Sequence, residues 1–259
     1  MIHLSKRLMA VASMVTPGSR PVDVGCDHGH IPIYLVQKGV AAHVLAMDIN
    51  EGPLARARAN ISGCGLAQSI ETRLSDGLES YVKGEADSLI IAGMGGTLIC
   101  RILGYAQQEG FLADFHELVL SPHSDIGQVR RLLHELGFRI DKENMVIDAG
   151  KYYTIIHAIH GREQYGSPED YQYGKYLIDC GHPVLKTYVL ELLAAREALY
   201  EKLSGLSTPG AMSYMPKLLD EIGNLKRTAA RLDPGAAGGD TQKSSDRQEA
   251  DGSPQKNGL

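Results

Sequence analysis

PVDVGCDHGH, residues 21–30, combines a short apolar strand, a tight glycine turn and the start of a helix, with an acidic insert in the turn. Val22 and Val24 favour a strand, and Gly25 lets the chain turn sharply at little steric cost. The following HIPIYLVQKG supplies helix-compatible apolar residues. The stretch reads as the first βα turn of a doubly wound sheet. Such turns lie at the carboxyl ends of parallel strands, where open α/β sheets place their ligands.

The charges in the turn narrow the ligand. Amides at a helix N-terminus cradle a pyrophosphate in the dinucleotide pattern G-x-G-x-x-G. Here those positions hold Gly25, Asp27 and His30, so only the first glycine of the pattern is present. A carboxylate at Asp27 repels phosphate, whereas Asp23 and Asp27 suit a cofactor with cationic groups and no phosphate. S-adenosylmethionine, with a sulfonium and an ammonium, fits, so the loop favours a methyl donor over a nicotinamide cofactor. Cys26, Asp27, His28 and His30 are metal-ligand types, but few side chains converge on one ion from so short a turn, and no metal is expected.

Outward from this turn, the 259 residues are 43% hydrophobic and 22% charged, which predicts one sizeable α/β domain with an appendage. A net charge of −5 gives no global sign of nucleic-acid binding and leaves room for a local basic patch. Cys26, Cys64, Cys100 and Cys180 form no C-x-x-C pair, and no signal peptide or long apolar span is evident. The expectation is a cytoplasmic protein with reduced thiols and no membrane partner.

A βα alternation surrounds the turn. Leu4, Leu8, Val11 and Val15 share one helical face, expected to cover the first strand, with Lys6 and Arg7 off it and available to RNA phosphates. Asp48 ends the second strand about twenty residues beyond the turn, where adenosine-binding folds place an acid on the ribose hydroxyls; the competing reading is a helix cap. Asp76, before Gly77, closes strand three and is a candidate acceptor for the adenine amino group, or else an Asp-Gly turn. The apolar run Ser88 to Ala92 suits a central parallel strand and stops at Gly93-Met94-Gly95-Gly96, where backbone can approach a ligand. A fifth strand ends in Ser121-Pro122-His123-Ser124-Asp125 at the same sheet edge, and an antiparallel hairpin turning at Ala149-Gly150-Lys151 closes the domain.

LSKRL, DVGCDHGHIP, SDGLE, GEAD followed by IAGMGG, and the S-P-H loop together resemble the bacterial tRNA (adenine(22)-N1)-methyltransferase family over most of residues 1–232. The resemblance implies a Rossmann-like class I methyltransferase domain, a C-terminal helical coiled-coil hairpin, and methylation of N1 of an adenine in the D-arm region of tRNA. It maps the cofactor loop onto Gly25, Asp27 and His28, the ribose acid onto Asp48, the adenine contact onto Asp76, and the glycine-rich loop onto Gly93 to Gly96. Asp23, Gly77, Met94 and Gly95 complete the expected S-adenosylmethionine-binding set. Ser121-Pro122-His123 stands where the family often shows Q-P-N.

The expected organisation is therefore a methyltransferase domain over residues 1–161, a helical domain over 165–232 that contacts tRNA, and a disordered tail over 233–259 that is poor in apolar residues. Within the helices, Lys217, Lys226, Arg227 and Arg231 are candidate RNA contacts, although a solvated charged face is the default for such residues. No obligate protein partner is implied. Adenine N1 already carries a lone pair, so positioning should dominate catalysis. A carboxylate near the amino group would counter the charge that develops; Asp27 is the first candidate, followed by His28 and His123. Methylation of a small molecule or protein, and a noncatalytic RNA-binding protein on a degenerate fold, are the competing readings.

Overall fold

The computed structural model describes residues 2–206 and 208–233; the tail expected to be disordered lies, beyond Asp233, outside the described residues. One sheet contains β1 (Pro21–Val24), β2 (Val44–Asp48), β3 (Ile70–Leu74), β4 (Ser88–Met94), β5 (Glu117–Pro122), β6 (Phe138–Asp148) and β7 (Lys151–His160), in the order β3-β2-β1-β4-β5-β7-β6. The first five strands are parallel, and β7 runs antiparallel to both β5 and β6. Strand order reverses between β1 and β4. The carboxyl end of β1 is thus the topological switch point, where open α/β sheets form a crevice.

Every residue of β1, β2 and β5 is buried because helices cover both faces of the sheet. The helices are α1 (Lys6–Ala12), α2 (His30–Gln37), α3 (Glu51–Gly63), α4 (Gly96–Gln108) and α5 (Ile126–Glu135). Successive strand residues point to opposite faces. Val22, Leu89, Ile91, Leu118 and Leu120 therefore pack with Ile99 and Leu103 of α4 and Val129 and Leu133 of α5. Ala46, Ile90 and Val119 enter the other core with Ile33 and Leu35 of α2 and Leu54 of α3. Helix α1 amends one expectation. Its Val11 is buried in this second core, but the helix lies over β5, β6 and β7 and against α2 rather than across β1.

Two polar networks sit inside this apolar frame. At the amino end of β5, the buried Glu117 carboxylate accepts from Ser88 Oγ at 2.7 Å and Thr16 N at 3.0 Å, and meets His157 Nε2 at 2.8 Å. Burial opposes its charge, but those hydrogen bonds win and hold Glu117 down at about 2. Farther along, Arg130 of α5 and Glu143 of β6 form an ion pair at 2.8 Å, with side chains 1% and 0% exposed. Arg130 Nη1 also donates to the carbonyls of Tyr171 and Gln172, at 2.7 and 3.1 Å. Those carbonyls belong to a π-helical turn, Asp170–Gly174, that leads into α6 (Lys175–Asp179).

The helical region is tied to the sheet at this point. Tyr165 and Tyr171 lie in the same core as Leu133 and Phe138. Beyond them, α7 (Pro183–Ser204) and α8 (Pro209–Leu232) pair, and Thr208 caps α8 by accepting from Ala211 N. Their base packs Leu185, Val189, Leu225 and Leu232 against Met145 of β6 and Tyr173.

A buried pair of this kind is costly to break from one side, because the partner left behind is an unpaired charge. Arg130→Met is expected to destabilise the protein by about 3 kcal/mol or more in urea unfolding. The double variant Arg130→Met/Glu143→Leu should regain most of that loss; a double variant as unstable as the single one would show that the charge itself is not the cause.

Candidate active site

At the switch point, the carboxyl ends of β1, β2 and β4 border a cavity of about 320 Å³ lined by Arg7, Asp23, Asp27, His28, Asp48 and Gly93, among others. The turn after β1 is built for close approach. Gly25 has φ +77°, a conformation that suits glycine, and the Met94 methyl group occupies the space a Cβ would need. Gly29, with φ +71°, caps α2 and brings it against Ala57 of α3. It performs the helix-packing role of the third glycine of the dinucleotide pattern, one residue earlier than that pattern places it.

Between these glycines Asp27 takes φ +48°. Its backbone N–H donates to Asp48 Oδ2 at 3.1 Å, while Asn50 N donates to Asp48 Oδ1 at 2.9 Å. Asp48 therefore braces the loop, and each of its oxygens keeps a lone pair for a further donor. The Asp27 side chain is 64% exposed, with His28 Nε2 3.5 Å from its Oδ1. Asp23 is only 3% exposed. Burial, and then the Asp48 charge, push its carboxyl up to about 7. The neighbouring Cys26 thiol is pushed up as well, by burial first and then Asp23, which makes it an unreactive thiol.

The opposite wall carries the other sign of charge. Gly93, at φ +88°, slips the register of β4 against β5, and Arg7 Nη1 and the His123 ring lie against it. The Arg7 backbone N–H donates to Asp148 Oδ2 at 3.0 Å, anchoring α1 to the hairpin. The Arg7 guanidinium lies 5.3 Å from the centre of the Tyr153 ring, and its buried Nη1 has no acceptor among the described residues. His123 donates its backbone N–H to Met94 O at 2.8 Å and meets Tyr153 edge-on, with ring centres 5.6 Å apart. Burial, then Arg7 and Lys151, lower its pKa and keep it neutral.

The turn residues Asp23, Gly25, Asp27 and His28 thus meet Asp48 and Gly93 in one cavity, with His123 against its Gly93 wall. Asp76 stands beyond the end of β3, accepts from Arg101 Nη2 at 3.2 Å and does not line that cavity. Gly77 abuts Ile102, Gly95 abuts Ser124, and Met94 packs over Gly25; none of the three lines it. Sequence reasoning placed Arg7 only as a phosphate contact and missed Asn50 and Tyr153. Arg7 belongs to LSKRL, so the signal was present, but not its inward turn. On α8, Lys226, Arg227 and Arg231 are paired with Glu197, Glu169 and Asp170 at 2.8, 2.6 and 2.7 Å; Lys217 has no such pair among the described residues.

A parallel sheet with an antiparallel final hairpin and an acidic, phosphate-averse pocket at its switch point define a class I methyltransferase domain. Residues 4–156 match the family described as "Methyltransferase domain". The tRNA (adenine(22)-N(1))-methyltransferase of Bacillus subtilis (strain 168) is 35% identical over 160 residues, 62% of this chain and 66% of that enzyme, just under two thirds of its length. Streptococcus pneumoniae Sp1610 is 32% identical, with a TM-score of 0.80 over 88% of this chain and 100% of that one, and has also been solved in complex with S-adenosyl-L-methionine. The crystal structure of the B. subtilis m1A22 tRNA methyltransferase TrmK, 28% identical, superposes with a TM-score of 0.77 over 88% of this chain and 100% of that one. The chain belongs to this methyltransferase family, as its resemblance to the tRNA (adenine(22)-N1)-methyltransferases implied. Among the described residues no helix is long and apolar enough to cross a membrane.

Asp23 gives a pH test. Its native pKa, about 7, is above that of an unfolded aspartate, so the empty protein loses stability as pH rises from about 4 to 7. A cationic ligand requires the ionised form, so affinity should move the other way. S-adenosylmethionine is expected to bind roughly eightfold more tightly at pH 7.5 than at pH 6, as the ionised fraction grows. Calorimetric titration would read this, and Asp23→Asn should flatten the dependence; an unchanged slope in that variant would remove Asp23 as its source.

Proposed function

We propose that this protein transfers a methyl group from S-adenosylmethionine to N1 of an adenine in tRNA, at the position of its relatives, nucleotide 22. The observation that carries the reading is the opposition of Asp23 and Asp48, buried side by side at the switch point, to the Arg7, Tyr153 and His123 wall. The donor set fits the cofactor: Asp48 keeps acceptor capacity for ribose hydroxyls, and the partly protonated Asp23 is ready to face a cation. Gly25, Asp27, His28 and Gly93 shape the cavity around it. Asp76, with Gly77, takes the adenine side once its carboxylate leaves Arg101, and Met94 and Gly95 hold the backbone of the glycine loop in place. When bound, the cofactor supplies an electrophilic methyl carbon on a sulfonium sulfur.

The protein's residues orient and neutralise. The adenine N1 lone pair forms the new bond to carbon while the carbon–sulfur electrons return to sulfur, so no proton must leave first. The product base is cationic. Asp27, at the cavity mouth, accepts from the adenine amino group and counters that charge, and His28 beside it orients the carboxylate. His123, neutral, packs with Tyr153 as a platform for the base after it leaves its stack. Residues 1–161 perform the chemistry, and the helical residues 165–232 support the RNA. A cytoplasmic location goes with this substrate, as do the four free thiols.

Incubation with labelled S-adenosylmethionine and unmodified bacterial tRNA, followed by nucleoside analysis, should yield 1-methyladenosine. Labelled cofactor bound without any labelled nucleoside would move the activity to another acceptor. Asp27→Asn is expected to lower kcat by roughly 100-fold, the scale of removing one preorganised charge-stabilising group. Undiminished turnover in that variant would take Asp27 out of the chemistry.

A further inference from the structure

A second and larger cavity, of about 680 Å³, lies on the far side of His123, between α5, the β6–β7 hairpin and α7. It is separate from the cofactor cavity, yet His123 borders it on one side and lies against Gly93 of the cofactor cavity on the other. Part of its lining is charged, with two unpaired cations among the described residues and one carboxylate, Asp125. Helix α5 opens with Ile126 and Gly127, and its N-cap residue Asp125 makes no side-chain cap. Ser124 and Thr97 hold the Asp125 carboxylate at 2.9 and 3.3 Å. Lys151, exposed at the hairpin turn, and Arg131, which lies 4.1 Å from the centre of the Tyr171 ring, border the same space without an ion pair among the described residues. Another part is aromatic. Tyr152 and Tyr188 meet with ring centres 4.9 Å apart, beside Tyr173. Gly127 packs against the Tyr171 carbonyl, where a Cβ would crowd it.

Cations without a carboxylate partner take phosphate, and tyrosine faces take a nucleobase. We infer that this cavity binds one unstacked nucleotide of the RNA, the immediate neighbour of the methylated adenosine. Its phosphate lies at Lys151 and Arg131, and its base among the tyrosines. This inference rests on the proposed RNA methylation and extends it. The helical pair then has a defined part in recognition, since Tyr188 of α7 completes the base-binding end, while most of the cations on α8 are already neutralised by carboxylates.

The test uses full-length protein and three tRNA transcripts: intact, abasic on the 5′ side of the target adenosine, and abasic on its 3′ side. One of the two abasic transcripts is expected to raise KM about tenfold, the scale of losing one stacked base. Lys151→Ala and Tyr188→Ala should raise KM on intact tRNA while leaving S-adenosylmethionine affinity unchanged, which also reports that both variants are folded. Tyr188→Ala should add no further loss on the sensitive abasic transcript. If wild-type protein methylates tRNA but neither abasic transcript nor either variant changes KM, the cavity does not hold a nucleotide. If no tRNA is methylated at all, the reading of the active site fails, and this inference with it.

Discussion

Two carboxylates held together out of water set the terms for the rest of this site. Asp23, next to last in β1, and Asp48, last in β2, lie near the carboxyl ends of adjacent parallel strands, and burying both charges there is unfavourable without compensation. Part of that compensation is internal: Asp48 accepts the backbone N–H groups of Asp27 and Asn50, so the acid organises the loop that covers it. The rest is left to protonation of Asp23, which is why its carboxyl rises to about 7. A cation brought into the pocket replaces that proton. The strain of like charges thus becomes selectivity for a positively charged cofactor over a phosphate-bearing one.

Glycine recurs around the same pocket for a steric reason. Gly25 and Gly93 both take left-handed backbone, and each lies against a side chain, Met94 and Arg7, that a Cβ would displace. Met94 therefore acts as packing for the first loop rather than as a separate feature of the glycine-rich one. Asp148 helps to fix the start of α1, and with it Arg7, against the hairpin. The Ser5 hydroxyl first, then the Arg7 amide and the Arg7 and Lys6 charges, hold the Asp148 carboxyl below that of an ordinary aspartate.

Much of this could be read from the chain. The alternation of strand and helix, the switch-point turn and the placement of Asp48 follow from local patterns of period two and three to four. Asp27, His28 and Gly93 meet because parallel strands deliver their carboxyl ends to one edge, a topological rule and not a contact rule. What could not be read depends on side-chain direction. Arg7 lies off the apolar face of α1, and nothing in its spacing distinguishes a solvated arginine from one turned inward over Tyr153. The cover given by α1 was misassigned for a related reason: an amphipathic helix shows that it has an apolar face, not which strands it meets. Asp76 illustrates the converse. Its position is correct for the sheet edge, but an arginine from α4, 25 residues later in the chain, has claimed it.

The distribution of charge argues for how an anionic substrate is met by a protein of net charge −5. Ion pairs on the exposed helices contribute little stability, yet they remove cations from the long-range field that attracts a polyanion. Lys226, Arg227 and Arg231 are spent in this way. Arg7 and Lys151, by contrast, form no ion pair among the described residues, and they act on His123 from α1 and from the hairpin turn. They are strong enough together to help depress its pKa. Two cations thus stand near His123, which lies against the Gly93 wall of the cavity that holds Asp23 and Asp48. On the proposed reading, an RNA backbone is attracted by these cations and repelled by Asp23 and Asp48, which leaves the carboxylates to the cationic cofactor. Separation of the two signs of charge, more than net charge or a basic helix, is what the proposed reading asks of the crevice.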